Sequence, residues 1–255
     1  MSDSIEIIPL GTVSPYPKGK RNNPGFLVKY KGYRFLLDCG NGTTRLLDFK
    51  KDLENLNVFI THFHLDHFAD LAAIQYGSFC YHNLGMINNK VNIYLPDNNL
   101  NNYNEIIKSS EEVYATYHEI SDNKKYCFSD LDISFEDNKS HSIPSYMIKL
   151  QLPDKKIIYT SDIGTTNLDS LKDFCTASDL IICESSLLKK HNSNIKTHFT
   201  AADAATLAKE SNSRKLILTH FWPEEDRDEY LKEAKSIFDN TEVAEEGKKI
   251  VLRRW

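Results

Sequence analysis

Between Thr61 and His67 the chain reads Thr-His-Phe-His-Leu-Asp-His, and four of those seven side chains can ligate a metal. Imidazole nitrogens and carboxylate oxygens hold zinc at about 2.0–2.2 Å, and a short loop can present several donors at once. His62 and His64, two residues apart, suit one metal, while Asp66 and His67 suit a second. More donors stand at the ends of three apolar runs: His141 after Ile133–Phe135, Asp162 after Ile157–Thr160 and His220 after Leu216–Leu218. Asp162 has two oxygens, so it can bridge two cations. A lone histidine is usually a satisfied core or surface group. Four donors within six residues, with three more at strand ends, form a constellation that reading does not cover. His198 is the further candidate for catalysis, as a general acid for a leaving alkoxide, and Glu184 the carboxylate that could orient it.

These donors need rigid elements behind them. Ile5–Leu10 is a short apolar run, and Phe26–Tyr30 and Arg34–Leu37 read as strands joined at Lys31-Gly32. Asp38–Gly42 signals a turn, with a helix expected over Thr43–Leu53. Val58–Ile60 is a buried strand that runs straight into the histidine cluster. Apolar residues at helical spacing predict a helix over Phe68–Phe79. Residues 98–104, with five asparagines in seven positions, read as an exposed loop. Strands are expected at Ile133–Phe135, Tyr146–Leu152, Lys156–Thr160, Leu180–Cys183 and Leu216–Leu218. Thr200-Ala-Ala-Asp203 has the form of a capping box leading into an alanine-rich helix to about Glu210. Glu224–Phe238 has the pattern of a charged amphipathic helix. Strands and helices alternate without linker or repeat, which predicts one α/β domain over residues 1–255.

The motifs resemble those of the metallo-β-lactamase superfamily: Leu10-Gly11-Thr12, Leu37-Asp38-Cys39-Gly40, Thr61–His67, His141-Ser142, Thr160-Ser161-Asp162 and Thr219-His220-Phe221. Within it, His198-Phe199-Thr200-Ala201 and Leu218-Thr219-His220-Phe221-Trp222-Pro223 resemble the ribonuclease Z branch of phosphodiesterases. The resemblance implies a four-layer αββα sandwich with a two-metal site at the edge of two sheets. It implies that His62, His64 and His141 hold one metal, that Asp66, His67 and His220 hold the other, and that Asp162 bridges them. The metals expected are two zinc ions, with manganese an alternative that accepts the same ligands. Such a pair activates water and clamps substrate oxygens. Two dications set against Asp66, Asp162 and one hydroxide leave the site slightly positive, which suits a monoanionic phosphodiester. Asp66 also stands where it could orient or deprotonate the nucleophile.

Ribonuclease Z proteins grip tRNA with an arm inserted between the third metal histidine and the bridging aspartate. Only 20 residues separate His141 from Asp162, and they read as strand, Pro-Asp turn and strand. Residues 68–140 carry 5 Lys against 11 Asp and Glu, the wrong sign for a tRNA-binding face. One basic loop remains, Pro17-Lys18-Gly19-Lys20-Arg21-Asn22, equally readable as a phosphate contact or a solvated turn. A small phosphodiester is therefore the preferred substrate. Arm-less members of the branch include cyclic-nucleotide phosphodiesterases, among them the anti-Pycsar enzymes that destroy cyclic mononucleotide signals. This likeness implies a homodimer in which a loop closes the partner's site; the aromatic stretch Tyr76–His82 or the segment around Asn98 could serve, though both read first as plain core or surface. A tRNA 3′-processing endonuclease and a non-catalytic binding protein on the same fold are the alternatives.

Composition narrows the setting. A 40% hydrophobic, 26% charged chain is ordinary for a globular protein, and its net charge of −5 argues against stable nucleic-acid binding. No run approaches the roughly 18 apolar residues of a membrane span, and the first residues lack a signal pattern. Five scattered cysteines without a CxxC pair argue against a disulfide framework. They fit a reducing cytoplasm, that of a host cell if the gene is a phage's.

Overall fold

The computed structural model describes residues 4–96, 115–122, 124–165, 168–191 and 194–253. By contacts the chain divides into two compact units. One comprises Met1–Thr12, Tyr16–Ile120 and Glu245–Trp255; the other comprises Val13–Pro15 and Ser121–Ala244.

The first unit is built on a seven-stranded sheet of β1 (Ile5–Gly11), β2 (Gly25–Tyr30), β3 (Tyr33–Leu37), β4 (Leu56–Phe59), β5 (Asn92–Pro96), β6 (Thr116–Ile120) and β14 (Ile250–Leu252), in the order β14-β1-β2-β3-β4-β5-β6. β14, β1, β2 and β3 pair antiparallel, whereas β3, β4, β5 and β6 run parallel. β4 is buried along its whole length, as a strand inside a parallel array must be. Parallel strands end at one edge of the sheet, which is where crevices for ligands form in such folds. The turn after β3 and the Thr61–His67 loop after β4 both leave from that edge.

The second unit has β7 (Lys125–Phe128), β8 (Leu131–Asp137), β9 (Tyr146–Gln151), β10 (Lys156–Tyr159), β11 (Leu180–Glu184), β12 (Leu216–Thr219) and β13 (Thr241–Val243), in the order β13-β12-β11-β10-β9-β8-β7. β10 to β13 are parallel, and β7 to β10 pair antiparallel. β8 therefore points the same way as β10, β11 and β12, and the residues that follow all four reach one edge. Helix α5 (Ala201–Glu210) packs on β11 and β12. Ala201, Ala204, Ala205 and Ala208 are all buried in this core beside Ile181, Leu216, Leu218 and Phe221. Four alanines on one helix face let its backbone approach the sheet closely. Each Leu or Ile buried beneath it contributes about 1.5–3 kcal/mol.

Several elements differ from the expected bounds for local reasons. Thr43–Leu53 is not one helix but a 3₁₀ turn, Thr43–Leu46, and a short helix α1, Phe49–Asp52, separated where Leu47 turns extended. The Asp70 carboxylate accepts hydrogen bonds from the Gly42 and Thr44 amides and the Thr44 hydroxyl, holding that first turn tight. The helix expected over Phe68–Phe79 is two, α2 (Leu65–Phe68) and α3 (Leu71–Asn83), broken at the same Asp70. Helix α6 covers Arg227–Lys235, shorter than expected, because the Asp226 side chain caps it by accepting from the Asp228 amide. Helix α4 (Leu168–Cys175) and strands β5, β6, β7, β13 and β14 add to the elements expected. The asparagine-rich loop at 98–104 lies outside the described residues.

Candidate metal centre

In the first unit, strand β3 ends on Asp38 in the left-handed region, at φ 59°, a conformation that costs energy for any residue but glycine. The turn sends the carboxylate back into the protein. Its Oδ1 accepts the Thr61 amide at 2.8 Å and the Thr61 hydroxyl at 2.9 Å, and its Oδ2 lies 2.8 Å from His67 Nδ1. Thr61 Oγ1 in turn lies 3.1 Å from His62 Nδ1. With the Thr61 hydroxyl donating to Asp38, its oxygen accepts from His62 Nδ1–H. Both His62 and His67 are then fixed with Nε2 carrying a lone pair, the tautomer that ligates metal. His62 Nε2 lies 3.0 Å from His64 Nδ1, and His67 Nε2 lies 3.7 Å from Asp66 Oδ2. His64 caps the single turn of α2, whose next residues present Asp66 and His67. Gly40 is required beside it, since a side chain there would run into the Asp66 carbonyl oxygen.

The second unit assembles its donors on the loops after β8, β10, β11 and β12. Asn138, fully buried, donates to the Asp162 carbonyl at 2.8 Å and to Ser145 Oγ at 3.2 Å, and its Oδ1 accepts the Ser140 amide. Ser140 Oγ accepts the Gly164 amide at 2.7 Å. The loop bearing His141 is thus tied to the loop bearing Asp162, and His141 Nε2 stands 3.8 Å from Asp162 Oδ2. Ser161 and His220 both adopt left-handed backbone, at φ 54° and 61°, so the loops turn sharply where the ligand candidates sit. His220 Nε2 lies 2.9 Å from Asp162 Oδ1, and ligand atoms of Asp162, His198 and His220 lie within 4.8 Å of one another.

Glu184 ends β11 fully inside the protein. One oxygen accepts the Ile163 amide at 3.1 Å and lies 2.9 Å from His198 Nδ1; the other accepts the Ser186 amide and hydroxyl. Burial pulls the His198 pKa down, but the charge and hydrogen bond of Glu184, with Asp162 behind them, more than offset it, and the net shift is upward. The His198 side chain is 24% exposed, far more open than Glu184 and Asp162 beside it.

Both units carry a donor set that fits a divalent cation. Imidazole and carboxylate are the ligands such ions prefer. The hydrogen bonds to Thr61, Asp38 and Ser186 leave Nε2 of His62, His67 and His220 as lone pairs. Two of these lone pairs face another donor at 2.9–3.0 Å, His220 toward Asp162 and His62 toward His64. A cation is the species that such converging lone pairs suit.

Every site residue named from the sequence lies at a strand end or on a following loop, except Asp66 and His67, which lie in the helical turn α2. Asp38, Ser186 and Asn138 were not singled out as site residues. Asp38 is 29 positions from the histidine it holds, and only its place in the Leu37–Gly40 motif offered a signal. The basic loop is a tight turn, with Lys18 and Arg21 exchanging backbone hydrogen bonds at 3.0 Å and Asn22 buried against the Leu10 carbonyl. Tyr76–His82 is part of α3.

The sequence matches the family model of the anti-Pycsar protein Apyc1 over residues 5–243. Ribonuclease Z of Chlamydia pneumoniae is 27% identical over 295 aligned residues, which cover 95% of this chain and 95% of that protein. The probable metallo-hydrolase YhfI of Bacillus subtilis is 24% identical over 249 residues, 95% of this chain and 98% of its own. The crystal structure of the metallo-β-lactamase fold protein YhfI superposes with a TM-score of 0.86 at 21% identity, covering 98% of this chain and all of the other. Human tRNase Z, short form, superposes with a TM-score of 0.74 at 22% identity, covering 96% of this chain and 98% of that one. The fold is therefore the metallo-β-lactamase fold, an α/β sandwich.

Proposed function

We propose, because the chain belongs to the anti-Pycsar protein Apyc1 family, that it is a two-metal phosphodiesterase that opens a small cyclic phosphodiester, a 3′,5′-cyclic mononucleotide, to the nucleoside monophosphate. The observation that carries the substrate class is the stretch between His141 and Asp162. It is a plain hairpin, β9 and β10 joined by a turn closed by the Leu152 amide on the Lys155 carbonyl. No segment there is available to grip a tRNA, and residues 68–140 carry an excess of acidic groups. A cyclic nucleotide needs neither an arm nor a basic face. The relatives named ribonuclease Z support a second reading, a tRNA 3′-processing endonuclease, whose basic contact would have to be the Lys18–Arg21 turn.

His62, His64 and His141 are assigned to one metal and Asp66, His67 and His220 to the other, with Asp162 bridging. Zinc is the first choice and manganese the second. When bound, the two cations supply the positive charge that draws phosphate oxygens and makes water acidic enough to attack. The residues do the rest. Asp38 and Thr61 keep His67 and His62 aimed. Asp66 accepts the proton of the attacking water. As the phosphorus–oxygen bond of the ring breaks, the 3′ alkoxide takes a proton from His198, whose Nδ1 stays on Glu184. A protonated His198 at that point is what the Glu184 charge favours.

The protein is further read as one hydrolase domain that acts as a cytoplasmic homodimer. Hydrolysis of a 3′,5′-cyclic mononucleotide by the zinc-loaded protein, and its abolition in Asp66→Ala with the fold retained by circular dichroism, would support this function. Full activity in Asp66→Ala would contradict it.

A further inference from the structure

Ser186 lies two residues past the end of β11 and is buried. Its hydroxyl oxygen is 2.7 Å from Glu184 Oε2, 2.8 Å from His220 Nδ1 and 3.4 Å from His198 Nδ1. An ionised carboxylate can only accept, so the Ser186 hydrogen goes to Glu184. Its oxygen is then an acceptor, and the hydrogen it accepts is the one on His220 Nδ1. His198 Nδ1 gives its own hydrogen to the other Glu184 oxygen at 2.9 Å. The hydrogens thus run one way, from His220 through Ser186 to Glu184, and from His198 to Glu184. His220 is left with its lone pair on Nε2, directed at Asp162 Oδ1 2.9 Å away.

The loop bearing Ser186 is fixed from the far side by α6. Tyr230, fully buried, packs edge-on against Phe221 with ring centroids 4.9 Å apart. Its hydroxyl donates to the Ser186 carbonyl at 3.2 Å and accepts the Trp222 amide at 3.3 Å. One phenol therefore joins the loop after β11 to the loop after β12 that carries His220.

We propose that Ser186 is the positioning residue for His220, holding its ring in the metal-ligating tautomer and linking it to the Glu184–His198 pair, with Tyr230 as the brace of the Ser186 loop. The inference rests on the assignment of His220 as a metal ligand. It does not depend on which phosphodiester is hydrolysed.

The test is a titration of metal-free, full-length protein with Zn²⁺ against a chromophoric chelator, with the melting temperature of each metal-free variant measured alongside. Wild type is expected to bind two ions. Ser186→Ala is expected to weaken one of the two by about 10–100-fold, the usual cost of losing a hydrogen bond behind a ligating histidine, and to leave the other unchanged. Ser186→Thr, which keeps the hydroxyl, should return that site to near the wild-type affinity. Tyr230→Phe keeps the ring on Phe221 and should weaken the same site. Two zinc sites of wild-type affinity in Ser186→Ala would overturn the proposal, as would a Ser186→Thr protein no better than Ser186→Ala. A wild-type protein that binds no zinc would overturn the metal assignment beneath it, whereas absent cyclic-nucleotide hydrolysis with normal zinc binding would leave it standing.

Discussion

A histidine that must give up a proton near neutrality needs a neighbour that keeps it protonated until the bond breaks. Glu184 has that place, 2.9 Å from His198 Nδ1 and with its oxygens otherwise taken by the Ile163 amide and by Ser186. The direction of the pH effect follows. Activity that requires protonated His198 falls as pH rises through its pKa, and the Glu184 charge holds that pKa up against burial. Glu184→Gln removes the charge while keeping a hydrogen-bond acceptor, so the alkaline limb of the kcat profile should move to lower pH. An unmoved limb would show that His198 is not the acid. His198→Ala should lower kcat by roughly 10²–10⁴-fold with zinc content unchanged, because general acid catalysis contributes about that much. At this scale the sequence was most informative where donors are close together. Thr61–His67 can be read directly, because four ligand types fall within six residues. Asp38, Asn138 and Ser186 could not be read as parts of the site. Their partners, His67, Asp162 and His220, stand 29, 24 and 34 positions away, and only the folded sheets bring them near.

Elements set how firmly those residues are held. Helix α5 starts three residues after His198 with a complete capping box, the Thr200 side chain on the Asp203 amide and the Asp203 carboxylate on the Thr200 amide. Thr200→Ala should cost about 1 kcal/mol in urea unfolding; an unchanged midpoint and slope would show that the cap is not stabilising. Gly164 is the more sensitive position. An added Cβ there would meet the Lys196 carbonyl oxygen and the Thr197 Cα, on the segment that leads into His198. Gly164→Ala should therefore reduce kcat more than a core change of equal cost in stability, and equal losses would refute a positional role. Central strands and the capped helix were legible because apolar β-branched runs and Thr-x-x-Asp are local signals. Edge strands β6 and β7 were not, since a strand with one unpaired side carries polar residues such as Thr116, His118, Glu119 and Lys125. The helix expected over Thr43–Leu53 failed at Leu47, whose extended backbone separates the 3₁₀ turn held by Asp70 from α1.

At the level of the molecule, neither unit is a continuous stretch of chain: residues 13–15 belong with 121–244, and the last residues return to the first unit. Chain entry and exit of this kind favour one cooperative unfolding transition. On the proposed ligand assignment, metal binds folded protein alone and should stabilise it by about 2.7 kcal/mol at a free concentration 100 times Kd. Chelation should then lower a single melting transition; a melting temperature indifferent to zinc and to chelator would contradict the metal assignment. Such a transition would also support the reading of residues 1–255 as one domain, which the uninterrupted alternation of strands and helices in the sequence suggested. Substrate choice is a property of this whole surface, of what the short His141–Asp162 connection and the acidic stretch 68–140 leave out. The most direct measurement incubates zinc-loaded protein, in parallel, with a panel of 3′,5′-cyclic mononucleotides and with a precursor tRNA, using metal-free protein as control. Ring opening to nucleoside monophosphate with the tRNA left intact is the predicted result. Cleavage at the tRNA 3′ end with the cyclic nucleotides untouched would contradict it.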